Sequence, residues 1–156
     1  MSINAGEIAK QFYEAFITKN GDKMASLYAK NATFSDEVFT GLVGPEVGAM
    51  WRMLCTRSKD LTITYEILNS SETTAQARWH ATYTFSKTGR RVHNVVTSKM
   101  TFSNGKIVDH RDQFSFWKWS SQAFGPLGVL LGWSPMMKNK VRGEAMRSLE
   151  KFMSKS

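Results

Sequence analysis

From Leu61 to Phe116 apolar and polar residues alternate with a period of two, and no other feature of the chain narrows the fold as far. Leu61, Ile63, Tyr65 and Ile67 alternate with Thr62, Thr64 and Glu66. After a polar turn at Asn69 to Glu72, Ala75, Ala77, Trp79, Ala81, Tyr83 and Phe85 share one face. Gly89 marks the next turn, and Val92, Asn94, Val96, Ser98, Met100 and Phe102 share the face that follows. Asn104-Gly105 then closes a hairpin to a last strand. Strands joined by turns this short pair antiparallel, so the spacing predicts a meander with one buried face.

Helices are expected on both sides of it in sequence. Ile8, Phe12 and Phe16 recur every four residues across 3–19, an amphipathic helix. Asn20-Gly21 ends it, with Asp22 as the expected cap of a short second helix holding Met24, Leu27 and Tyr28. Residues 31–39 are β-biased, and Gly44-Pro45 opens a third helix carrying Val47, Met50, Trp51 and Leu54. Beyond Trp119, FGPLGVLLGWSP reads as a short buried helix or a loop. Val141, Ala145, Leu149 and Phe152 line one side of a basic helix over 138–153.

The chain of 156 residues, 42% apolar, is read as one domain over 1–156, with a core at 5–117 and an extension at 118–156. A single cysteine, Cys55, allows no internal disulfide, and MSINAGEIAKQF has no secretory pattern, so a cytoplasmic protein without a membrane span is expected. Half of the +8 charge lies on 138–156, and no aromatic-and-basic pattern suited to nucleic acid accompanies it. His80, His93 and His110 are too scattered for a metal set, so neither metal nor cofactor is expected.

The last strand carries the chemistry. In IVDHRDQFSF, alternation puts Val108, His110, Asp112, Phe114 and Phe116 on the apolar face, and Ile107, Asp109, Arg111, Gln113 and Ser115 on the other. A carboxylate in an apolar wall is costly unless paired or protonated. Asp112 is therefore satisfied by a neighbour such as His110, or it lines a cavity.

The order of three helices, an interleaved strand and a meander resembles the nuclear transport factor 2-like superfamily, with its ketosteroid isomerases, limonene epoxide hydrolase and SnoaL-like cyclases. YAKNATFSDEVFTGLVGPE is similar to the isomerases' Tyr/Phe-Ala-x-x-Ala-Thr-x-x-Asp stretch, and FSNGKIVDHRDQF to a SnoaL-like hairpin. The resemblance implies an α+β fold: a cone-shaped curved antiparallel sheet packed on three N-terminal helices, here with a C-terminal helical extension. It places the isomerase base on Asp36. The isomerase oxyanion donors fall on Phe12 and Ser98, and the hydrolase's Asp-Arg-Asp set keeps only Asp112, its Arg falling on Trp79 and its other Asp on Ala81.

What this implies is a pocket for a small hydrophobic, oxygen-bearing molecule, with or without acid–base turnover of isomerase, cyclase or hydrolase type. Asp36 is the expected base and Asp112 and His110 its partners, while Ser98 or Tyr83 donates to a substrate oxygen. Phe12, Phe16, Trp51, Trp79, Tyr83, Ser98, Met100 and Phe114 are the expected binding residues. Two carboxyl groups in one apolar pocket oppose each other's ionisation, so one stays protonated near neutral pH. The extension is read as a lid giving Leu130, Leu131 and Trp133 to the pocket, or as a surface element whose basic helix over 138–153 binds an acidic partner or a membrane face. The polar sheet face with Arg78, His80 and Thr82 is where a homodimer would form. The competing function is a non-catalytic binder or a dimeric scaffold using its basic helix.

Overall fold

The computed structural model describes residues 4–155. Helix α1 (Ala5–Ile17) starts where the Asn4 side chain accepts the Gly6 N–H. Helix α2 (Gly21–Ser26) is capped by Asn20, whose Oδ1 accepts the Lys23 N–H at 3.0 Å. The expected cap, Asp22, sits one position inside the helix and pairs with Arg52 at 2.7 Å instead. Strand β1 (Tyr28–Ser35) and the two-residue β2 (Leu42–Val43) precede α3 (Pro45–Arg57). The meander is β3 (Thr62–Ser70), β4 (Thr74–Phe85), β5 (Arg90–Ser103) and β6 (Lys106–Gln113). Three helices close the chain: α4 (Phe116–Phe124), α5 (Pro126–Leu131) and α6 (Pro135–Ser154).

The six strands form one curved sheet in the order β2-β1-β6-β5-β4-β3. Every pairing is antiparallel except β1 with β6, which run parallel. Asn104 and Gly105 both take positive φ, 52° and 75°, so the turn between β5 and β6 is the mirror-image type whose twist matches the strands it joins. The parallel pairing matters most for function. Phe34 is level with His110 and Ser35 with Arg111. The first residue past β1, Asp36, therefore emerges beside Asp112.

One expectation about faces fails. Thr101 pairs with Asp109 but Phe102 pairs with Ile107, so Val108 is an extra residue in β6. The bulge turns Ile107 inward, fully buried, where simple alternation had put it outside, and leaves Val108 half-buried. Past the bulge His110 and Asp112 do point inward.

Phe12 and Phe16 of α1, Trp51 of α3, and Trp79 of β4 meet edge to face in the main core. Burying side chains of this size stabilises the fold by ~1.5–3 kcal/mol each. A smaller cluster of Val92, Phe116, Trp119 and Ala123 fixes α4 against β5.

Candidate functional site

Between the concave side of the sheet, α3 and the C-terminal helices lies a cavity of about 770 Å³. Its walls are mostly apolar: Phe16, Trp79, Val96, Phe114 and Trp119 among others. Asp36, Asp112 and Tyr83, three of the polar residues expected at the site, line the same space.

Asp36 opens the loop after β1. Its Oδ1 accepts the backbone N–H groups of Val38 at 2.7 Å and Phe39 at 2.6 Å, while its own N–H donates to the Phe39 carbonyl. The turn is the kind Asp makes because its short side chain reaches the amides two and three residues on. Capping and cavity lining thus coexist in one residue, with Oδ1 doing the first. Burial pushes its carboxyl up from 3.8 to about 7; the two amide bonds pull the other way, the Asp112 charge adds to the rise and His110 opposes it. A carboxyl at that value is part ionised at neutral pH, as a general base needs.

Asp112 is held from behind. Trp51 Nε1–H donates to the Tyr28 hydroxyl at 2.8 Å, and Tyr28 lies 2.6 Å from His110 Nδ1. The one proton of Tyr28 goes to Nδ1, which leaves the imidazole proton on Nε2, 2.8 Å from Asp112 Oδ1. Ser98 Oγ sits at 2.8 Å from the same Nε2. The imidazole is fully buried among Phe12, Phe34 and Trp51, so its position is fixed by packing as well as hydrogen bonds. The other oxygen, Asp112 Oδ2, has no hydrogen-bond partner. Neither has Trp79 Nε1, whose residue also lines the cavity. The Tyr13 hydroxyl, in the core, is the third buried side-chain atom without a partner among the described residues, and each such atom costs stability.

Tyr83, on β4, accepts the Trp119 Nε1–H at 2.7 Å. That bond uses the hydroxyl oxygen and leaves its proton to be given away. Burial raises the pKa of Tyr83, with the indole donor opposing, so the hydroxyl remains a neutral donor.

The expected site residues divide by position. Asp36, Asp112, Phe16, Trp79, Tyr83 and Phe114 line the cavity. Phe12, Trp51 and Met100 are buried in the core behind it, and His110 and Ser98 stand behind Asp112. Ser98 is thus a partner of His110 and not a donor into the cavity; Tyr83 alone of that pair reaches it. The lid expected from GPLGVLLGW is corrected too. Leu130 and Trp133 are 67% and 73% exposed, and neither they nor Leu131 reach the cavity. The wall comes instead from Trp119 and Phe124 of α4 and from Val141, Glu144, Ala145 and Ser148 of α6. The stripe of Val141 and Ala145 was visible as one face of a helix, but nothing in the sequence said that it would meet a cavity. Among the described residues no group of three His, Cys, Asp or Glu side chains is placed to hold a metal ion, and no helix is long and apolar enough to cross a membrane.

Residues 9–110 match the family model of the SnoaL-like domain. No curated protein is similar enough in sequence to match. Among solved structures, a candidate SnoaL-like polyketide cyclase from Jannaschia sp. CCS1 superposes with a TM-score of 0.67 at 11% identity, over 78% of this chain and 92% of that one. A protein with a ketosteroid isomerase-like fold from Catenulispora acidiphila, solved with trimethylamine, gives 0.66 at 14% identity, over 83% and 98%. An LEH-like epoxide hydrolase of M. tuberculosis gives 0.59 at 13% identity, over 80% and 92%. At such identities the likeness shows the fold, which is that of the nuclear transport factor 2-like superfamily.

Proposed function

The chain belongs to the SnoaL-like domain family, and we propose that its cavity binds a small, largely apolar molecule carrying a carbonyl, epoxide or hydroxyl oxygen and turns it over by acid–base chemistry. Asp36 takes a proton from the substrate. The charge that develops on the substrate oxygen is met by the Tyr83 hydroxyl, whose own oxygen already accepts from Trp119. Asp36 then returns the proton at another position, so no group outside the protein and substrate is consumed. His110 is a positioning residue that holds the Asp112 carboxylate.

The observation that carries this reading is the pair of carboxyl groups at one apolar cavity, Asp36 with its pKa near 7 and Asp112 with an unpaired oxygen. We also propose that the chain is a homodimer through the outer sheet face, where Arg78, His80 and Thr82 are half-buried and His80 lies 3.0 Å from His93. The test of function is a panel of cyclic ketones, enones and epoxides screened by thermal shift, with hits followed by proton NMR in deuterated water. A stabilising compound that exchanges or rearranges with the wild type, but only binds to Asp36→Asn, supports the proposal. Equal turnover by the variant removes Asp36 from it, and no binding by any class removes the cavity.

A further inference from the structure

Helix α5 is built inside out. Its inward positions are glycines: a side chain at Gly128 would run into the Ser120 backbone, and one at Gly132, just past the helix, into the Ser120 hydroxyl. The helix therefore lies flush on α4, and its large side chains have no core to enter. Leu127, Val129 and Leu130 are 53%, 49% and 67% exposed. Trp133 and Met136 follow, and Trp117 of α4 joins them, its Nε1–H donating to the Val129 carbonyl at 3.1 Å. Of the ten large hydrophobic side chains exposed among the described residues, these are six. A soluble monomer seldom gathers its exposed apolar groups in one place without a use for them.

The charge around the patch says what covers it. From Phe116 to Gly143 there is no acidic residue. Lys118 is next to Trp117, Lys140 is one helical turn beyond Met136, and the Arg90 guanidinium lies against Gly125, just before α5. None of these three is in an ion pair among the described residues, and Glu37 is already held by Lys138 at 2.8 Å. A second copy docking here on a two-fold axis would bring cation to cation. Exposed apolar side chains with tryptophans, on a segment whose charged residues are all cations, fit an anionic lipid surface, the apolar side chains entering the headgroup boundary and cations such as Lys118 and Lys140 meeting phosphates.

We propose that the α4–α5–α6 corner docks the protein on anionic membranes. Trp119 and Phe124 of the same α4 line the cavity, so docking would bring the cavity wall next to the lipid from which an apolar ligand partitions.

The test is sedimentation of the full chain with vesicles of phosphatidylcholine, with and without about 30 mol % phosphatidylglycerol. The wild type should sediment with the anionic vesicles and far less with the neutral ones. Leu130→Ser with Trp133→Ser should weaken this by ~10-fold or more, and Lys118→Gln with Lys140→Gln should remove most of the anionic preference. All four residues are exposed, so the variants should melt as the wild type does. No vesicle binding, binding unchanged in either variant, or self-association of the wild type that the Leu130/Trp133 variant abolishes would overturn the proposal; the last would make the patch a protein interface.

Discussion

Asp36 and Asp112 are brought together by the parallel register of β1 and β6, in which Ser35 is level with Arg111 and each carboxylate is the next residue along its chain. The two are 76 residues apart in sequence and reach one cavity. Antiparallel pairing would have carried Asp36 away from the end of β6. The candidate site is thus a product of topology first and of side-chain chemistry second.

Replacing Asp36 by Asn should lower turnover by ~10²–10⁴-fold, the usual loss when a positioned base is removed. Ligand affinity should change little, because Asn can still accept the Val38 and Phe39 amides. The wild-type kcat/KM should rise with pH and level off above about 7, following the ionisation of Asp36, and the variant should lack that limb.

The same carboxyl has a stability signature of defined sign. Burial raises its pKa from 3.8 to about 7, so the folded chain holds a proton that the unfolded chain has released between those values. Wild-type stability should therefore fall relative to Asp36→Asn as pH rises from about 4 to 7, and the difference should be constant above that window. Urea melts of both proteins at several pH values would show it; a difference that does not vary with pH would contradict it.

His110 and Asp112 should be coupled in stability. His110→Phe leaves the buried Asp112 carboxyl without its partner and the Tyr28 hydroxyl proton without an acceptor, at a cost of ~3–5 kcal/mol. Adding Asp112→Leu should recover part of it, since two apolar groups are tolerated where one unpaired charge is not. A double-mutant cycle in urea measures the coupling, and simple additivity would mean that the pair does not hold itself together.

Tyr83→Phe should cost ~1 kcal/mol, from the Trp119 N–H left without its acceptor. Its larger effect should be on kcat, with KM nearly unchanged, if the hydroxyl meets charge that develops only in the transition state. A change confined to KM would place Tyr83 in ground-state binding.

Much of this architecture is legible in the sequence, and the gaps have identifiable causes. Period-two alternation and the Asn104-Gly105 turn place β3 to β6, because a half-buried sheet imposes the pattern. The bulge at Val108 is invisible to alternation, since one extra residue shifts Ile107 without changing its type. Asp36 is found through a family resemblance and not through chemistry; a lone Asp after a β-biased run is usually a turn residue, and here it is that too. The C-terminal segment is misread because apolar residues normally mean core. In α5 the glycines took the inner face, and Leu130 and Trp133 were left outside.

The central claim is that the cavity holds an oxygen-bearing ligand against the two carboxyl groups, and a crystal structure with a turned-over compound, or one co-purified from the native cell, tests it most directly. The account predicts a ligand oxygen within hydrogen-bond reach of Asp36 or Asp112, and Asp112 Oδ2 no longer unpaired. A cavity collapsed on its own side chains, or a ligand bound with both carboxyl groups turned away from it, would contradict the account.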